Sequence, residues 1–434
     1  DINNDGCVEV LGTLNDCAGN LLPQPYASIG LAEAAARTYS HARVADFNGD
    51  GIPDVIVNGY TSIDDPASTV LLYYGNGDGT FTKATTAQFP AIYRGFGETI
   101  VVADFDNDGH LDIFLPNYTH NSPQEQNYLL KNRGDGTFVE IADAAGVANR
   151  NWPLAYKVEG AQALDINGDG FLDLYVGSHL YINNGDMTFT DRRAEYGLPL
   201  FFDEGAKFID WNNDGYIDLL LQHSDNGPTL FQFNGASFIP VDNAFEPRYY
   251  SKAWGLSTED VDGDGFVDVV LAGGINPDGS RKSPTLFLKR DNKYIISDLL
   301  SGVGNISAFA DFDDSGTMDL ILNSVDSTTP MRYLRNTATD TSAIKVFLLG
   351  DGGAQNQHGR TVRATPARDS GFVMTRIVDG GSGYLSNNEY AVTFPTPRGD
   401  QYWVTAQFDN GIVGGWASAG SIVSIHRDGR FIVQ

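Results

Sequence analysis

Two cysteines, four methionines and five tryptophans are all that 434 residues contain of these types, and basic residues number 28 against 56 acidic ones. Cys7 and Cys17 suit a single disulfide closing a short loop in an oxidising compartment, with two free thiols as the alternative. Neither cysteine has a plausible catalytic base beside it in sequence, and the seven histidines show no metal-ligand spacing, so nucleophilic catalysis and a histidine-held metal find no support. A formal net charge of −28 disfavours nucleic acid and anionic membrane surfaces as partners and favours cations. No apolar run is long enough to span a bilayer, and the first residues do not form a signal peptide, as expected of a mature, extracellular or cell-surface chain.

What the chain has in abundance is turn chemistry. Its 49 glycines sit among many Asn and Asp residues, while 41% hydrophobic and 12% aromatic residues suffice for a substantial core. This combination favours an all-β protein.

One nine-residue pattern recurs: DFNGDGIPD from Asp46, DFDNDGHLD from Asp104, DINGDGFLD from Asp165, DWNNDGYID from Asp210, DVDGDGFVD from Asp260 and DFDDSGTMD from Asp311. A seventh copy, DINNDGCVE, opens the chain at Asp1. Starts lie 45 to 61 residues apart, a spacing that suits one four-stranded propeller blade per repeat. An apolar strand leads into each loop and another leads out. Tight turns follow in YYGNGDGTF, LKNRGDGTF and YINNGDMTF, where Gly and Asn supply positive φ. These motifs resemble the FG-GAP, or VCBS, repeat family, whose members build integrin-type propellers with calcium in such loops. The resemblance spans about residues 1–337 and implies a seven-bladed β-propeller with its loops gathered on one face.

A hard cation needs several oxygen ligands, and side-chain oxygens at loop positions 1, 3, 5 and 9 with a backbone carbonyl at 7 can surround one point. The expected Ca²⁺ ligands are therefore Asp1, Asn3, Asp5 and Glu9; Asp46, Asn48, Asp50, Ile52 and Asp54; Asp104, Asp106, Asp108, His110 and Asp112; Asp165, Asn167, Asp169, Phe171 and Asp173; Asp210, Asn212, Asp214, Tyr216 and Asp218; Asp260, Asp262, Asp264, Phe266 and Asp268; and Asp311, Asp313, Ser315, Thr317 and Asp319. The last loop, with Ser315 at position 5, is expected to bind most weakly. About seven structural Ca²⁺ ions would bring the net charge to about −14.

From Ala343 the metal pattern stops. His358, Gly359, Arg360, Val362, Gly380, Gly381, Gly383, Tyr384, Leu385 and Ser386 carry a resemblance to the UnbV/ASPIC domain of the cartilage acidic protein family and of bacterial secreted proteins. It implies a small C-terminal β-domain, residues 338–434, of sandwich type. VTFPTPRGD and QFDNG depart from that family's usual turns.

If the loops occupy one mouth of the propeller, the leading strands start at the other. There Glu98, Glu159, Glu204 and Trp254, with aromatic neighbours such as Tyr93, Trp152 and Tyr249, form a possible ligand face for a glycan or protein. The alternative is that the glutamates bond to neighbouring backbone while the aromatics fill gaps between blades. The leading reading is a binding, adhesion or recognition module. Next comes a structural subunit that joins copies of itself by strand addition, because no strand precedes the Asp1 loop; SIVSIHRDG is a candidate to supply that strand internally. A carbohydrate-active enzyme ranks third.

Overall fold

The sequence alternates apolar strands with Asp/Gly loops, and each such unit folds into its own antiparallel sheet. A computed structural model describes residues 13–16, 20–36, 38–60, 70–92, 99–117, 126–150, 158–200, 205–223, 227–246, 253–274, 283–297, 300, 304–324, 330–338, 342–380 and 388–434. The Asp46 sheet runs Thr38–Ala45, Asp54–Tyr60, Leu71–Gly75, Phe81–Lys83, each strand paired with the next. The Asp104, Asp165 and Asp210 sheets repeat this four-stranded order. The Asp260 sheet adds Phe245–Glu246 in parallel at its outer edge, and the Asp311 sheet has three strands among the described residues. In all six, the ninth loop residue (Asp54, Asp112, Asp173, Asp218, Asp268, Asp319) is the first residue of the second strand.

The turns between third and fourth strands use the predicted positive φ: Gly134 and Gly136 stand at 75° each, and Met187 takes 64° where the other copies have glycine. The aspartate between them caps the turn, as Asp186 Oδ1 does by accepting the Thr188 amide (3.0 Å) and hydroxyl (2.5 Å).

Successive sheets bury their apolar faces against each other. Phe47, Ile56, Ile113 and Phe138 fill the gap between the Asp46 and Asp104 sheets, and Phe105, Phe114, Leu174 and Phe189 the next one. Leading strands of consecutive sheets touch, from Val101–Ala103 round to Ile306–Ala310. Hydroxyls tie them: Thr99 Oγ1 donates to the Glu159 carbonyl (2.6 Å) and Ser257 Oγ to that of Ser307 (2.5 Å). This is an all-β, propeller-like arrangement with leading strands innermost.

Third-strand asparagines clasp neighbouring sheets. Asn132 Nδ2 donates to the Phe47 carbonyl (2.7 Å), Asn183 to Phe105 (2.8 Å) and Asn336 to Val261 (2.9 Å). Asn15, in the hairpin Thr13–Asn15/Leu21–Pro23, makes the same bond to Phe312 (2.7 Å).

Residues 342–434 contribute two four-stranded sheets around a common core of Val346, Leu348, Val362, Met374, Tyr402, Val404 and Ile425. Here one expectation is corrected. Ile422–His426 pairs in parallel with Ile344–Leu349 inside this unit, so its backbone bonds are already used and it does not complete the first repeat.

The C-terminal sheets sit on the loop-bearing end of the propeller-like part. Asn356 Nδ2 donates to the Gly109 carbonyl (2.6 Å), Arg360 to Gly170 (2.7 Å), and the Val373 amide to Asn213 (2.9 Å). The chain on either side of residues 381–387 reaches the innermost strands: Val102 N–H donates to Gly380 O, and Phe309 N–H to Asn388 Oδ1 (3.1 Å).

Candidate functional site: the carboxylate loops

Each loop is a backbone ring closed by its own carboxylates. In the Asp46 loop, Asp46 accepts the amides of Gly49 (2.7 Å) and Gly51 (2.8 Å), while Asp50 accepts that of Ile52 (2.8 Å). Asp54 accepts Phe47 N–H on one oxygen (2.8 Å) and Gly75 N–H on the other (2.9 Å), joining the loop to the third strand. Asp112, Asp173, Asp218, Asp268 and Asp319 repeat this double acceptance. The ninth-position aspartate therefore has a structural role that the metal pattern alone did not disclose.

The geometry gathers charge that water cannot dissipate. Burial pushes Asp54 up to about 7, opposed by its two amide bonds and reinforced by Asp46 and Asp50. Burial likewise raises Asp173, Asp218 and Asp268 to about 8, and Asp210 and Asp260 to about 7. Carboxylates in such surroundings must bind protons, pair with cations or take a metal ion.

Two solutions to this crowding occur inside the loops. Where position 3 is asparagine, its amide donates to the fifth-position carboxylate: Asn48 to Asp50 (2.9 Å), Asn167 to Asp169 (2.8 Å) and Asn212 to Asp214 (2.9 Å). Where position 3 is aspartate, a basic residue from the third-strand region pairs with it: Lys131 with Asp106, Arg290 with Asp262, and Arg335 with Asp313. Sequence reading missed these partners, although a Lys or Arg about 20 to 30 residues after each third-position aspartate was in plain view.

The residues present fit a hard divalent cation. Ligand oxygens of Asp104, Asp106 and Asp108 lie within 4.8 Å of one another, as do those of Asp260, Asp262 and Asp268, and of Asp311, Asp313 and Asp319. Asp106 Oδ1 and Asp313 Oδ1 are buried without a hydrogen-bond donor, which is the condition of an oxygen that a cation would take. In the last loop the Ser315 and Thr317 hydroxyls bond each other (2.9 Å), offering neutral oxygens where the others offer carboxylate and carbonyl.

The other expected sites fare differently. Asp1, Asn3, Asp5, Glu9, Cys7, Cys17, Glu98 and Glu204 lie outside the described residues. Of the expected ligand face, Glu159 is buried and Trp254 is half-buried. Asn117 and Asn305, each the first residue of an Asn-x-Ser/Thr triplet, are also buried. Arg398, of the second Arg-Gly-Asp triplet, pairs with Asp369 (2.6 Å) and lies over the Phe372 ring (3.7 Å to its centroid).

Of the C-terminal motif residues, Gly381, Gly383, Tyr384, Leu385 and Ser386 lie outside the described residues, whereas Gly359, Arg360 and Gly380 seat this unit against the repeats. Gly359 stands at φ +81° with its α-carbon against the Ala163 carbonyl, and a side chain at Gly380 would strike the Val102 carbonyl. His358 is buried with Nδ1 on the Asp379 carbonyl (2.6 Å), and burial depresses it to about 4.

Comparison with known proteins agrees with this geometry. The FG-GAP-like repeat model matches residues 46–115, 118–176, 165–221 and 210–271, together more than half of the chain. Cartilage acidic protein 1 of Xenopus tropicalis is 29% identical over 143 residues, 31% of this chain and 20% of that protein. The Homo sapiens protein of the same name is 27% identical over 205 residues, 41% and 28% of the two chains. The matched stretches thus span under a third of the length of these relatives. Among solved structures, an Agrocybe aegerita lectin aligns with a TM-score of 0.47 at 19% identity, covering 75% of this chain and 88% of its own. The Vibrio cholerae biofilm matrix protein Bap1 aligns with a TM-score of 0.39 at 16% identity, covering 92% and 60%.

Proposed function

This chain belongs to the FG-GAP-like repeat family, and from that premise we propose that it is an extracellular, calcium-stabilised seven-bladed propeller acting as a binding or recognition module. The observation that carries the reading is the sixfold recurrence of one loop geometry, in three copies of which carboxylate oxygens lie within 4.8 Å of one another and in two of which a buried oxygen lacks a donor. Calcium at positions 1, 3, 5, 7 and 9 would neutralise these loops and rigidify the end on which the C-terminal unit, residues 338–434, is seated. Extracellular calcium in the millimolar range suits loops of this type. The seventh blade is the unit that begins with the Asp1 loop. Its support is Asn15, whose amide repeats on Phe312 the clasp used between other sheets, and Leu21, which packs beside Phe312.

A ring closed in this way favours a discrete binder over a filament subunit. The ligand sets of the loops use the ion for structure and leave no position for a reacting group, which supports binding over catalysis. Labelled, calcium-loaded protein is expected to bind members of a glycan or matrix-protein array and to remain monomeric by light scattering. Calcium-dependent polymers would replace this reading with an assembly subunit, and turnover of a polysaccharide panel would replace it with an enzyme.

The basic residues paired with third-position aspartates should lower the calcium affinity of those loops. Replacing Lys131 by Met removes the cation that competes for Asp106 and Asp108. Calorimetric titration is expected to show one class of sites tightening about two- to fivefold, the range of a partly exposed ion pair, with the gain shrinking as salt is added.

A further inference from the structure

The junction between the Asp165 and Asp210 sheets lacks an asparagine clasp, as does the next one, where Lys289 holds the equivalent position, but only the first carries an aromatic residue there. At the third-strand position where Asn132, Asn183 and Asn336 clasp the preceding sheet, the Asp210 sheet carries Phe233, which has no donor to give. A cavity of about 620 Å³ opens there, with Phe233 and Ile166 in its lining. Its size falls within the roughly 300–1,000 Å³ of small-ligand pockets.

The lining is chemically mixed. Tyr196 and Phe233 stack with ring centroids 6.1 Å apart and planes 24° from parallel, giving one flat apolar wall. At the rim, Arg192 and Glu195 face each other at 3.0 Å, both exposed, so that a charged donor and a charged acceptor stand side by side. Asn184, whose amide donates to Thr188 Oγ1 (2.9 Å), and Asp169 of the metal loop line the rest of the wall.

We propose that this inter-sheet groove binds a neutral saccharide, with a sugar ring stacked on Tyr196 and two adjacent hydroxyls held by Arg192 and Glu195. A pyranose has the matching character: an apolar C–H face for an aromatic wall and vicinal hydroxyls that both donate and accept. An acidic sugar fits poorly, because Glu195 faces the site and the chain stays net negative, at about −14, even with seven Ca²⁺ bound. A cationic ligand would have to displace Arg192 from Glu195. The proposal rests on the binding-module reading and gives it a place and a ligand class.

The test uses the full chain in millimolar calcium and the methyl glycosides of glucose, galactose, mannose, fucose and N-acetylglucosamine, followed by saturation-transfer NMR and titration. At least one glycoside is expected to bind, about tenfold more weakly to Tyr196→Ala and several-fold more weakly to Glu195→Gln, whose exposed side chain does not support the fold. Binding undiminished in both variants would overturn the groove as its site while leaving a binding module. Absence of transfer from all five would overturn the saccharide assignment, and capture on a protein array would then still uphold the module.

Discussion

Stripping calcium with a chelating resin is expected to lower the thermal unfolding midpoint on the order of 20 °C at pH 8, and much less at pH 5. The pH dependence follows from the buried ninth-position carboxyls. Asp54, Asp173, Asp218 and Asp268 have their proton affinities raised by burial, to about 7 or 8, above the ordinary 3.8. A carboxyl raised on folding favours the folded state while protonated; that contribution is complete below the ordinary value and is lost as pH climbs through 7 to 8. The stripped protein therefore weakens from pH 5 to 8. Calcium requires the ionised form, so the loaded protein gains over the same interval. Each loop held at a hundredfold excess over its dissociation constant contributes about 2.7 kcal/mol. A few such loops rival the roughly 5–15 kcal/mol of an entire domain. Calorimetric scans of stripped and loaded protein at both pH values check this. A stripped protein that is equally stable at both, with no response to calcium, would mean that amide bonds and third-strand cations satisfy the loops unaided.

Much of this architecture is legible in the sequence because the repeat is written in residues with few alternatives. An Asp/Gly loop of fixed length bounded by apolar strands has one way to fold, and Asp54 through Asp319 begin second strands as the pattern requires. For the C-terminal sheets the sequence offered a resemblance rather than a repeat. What escaped was long-range pairing. Nothing local marks Asn132 as a clasp to Phe47, 85 residues away, or Lys131 as the partner of Asp106. The glutamate arc illustrates the same limit. Glu159 occupies the expected register before its loop, yet register along a strand does not fix exposure when neighbouring sheets close over it. Phe233 reads in sequence as one more core aromatic, and only its place in the lining of the inter-sheet cavity gives it meaning.

Replacing Asp379 by Asn is expected to cost about 3–5 kcal/mol in saturating calcium, the penalty for leaving buried charge without its counterion. Asp379 is nine-tenths buried between the C-terminal unit and the innermost strands, 3.3 Å from Arg43 and 3.8 Å from Lys207, and it also accepts the Asn388 amide (2.7 Å). Burial lowers both Arg43 and Lys207 from their usual values, and attraction to Asp379 is what offsets it. Asn keeps the shape but offers one acceptor oxygen in place of the two that take Arg43 and the Asn388 amide, so the loss reads the charge together with one hydrogen bond. Chemical denaturation should show it, and Arg43→Met in the same background should return part of the stability by removing the cation that Asp379 contacts at 3.3 Å. Because Asp379 adjoins Gly380, whose carbonyl takes the Val102 amide, the weakened contact lies where the C-terminal sheets are anchored. An early transition confined to residues 342–434, seen as hydrogen exchange there before the repeats, would identify the ion cluster as the anchor. Uniform destabilisation would instead mean that both parts unfold as one cooperative unit, with Asp379 inside its core.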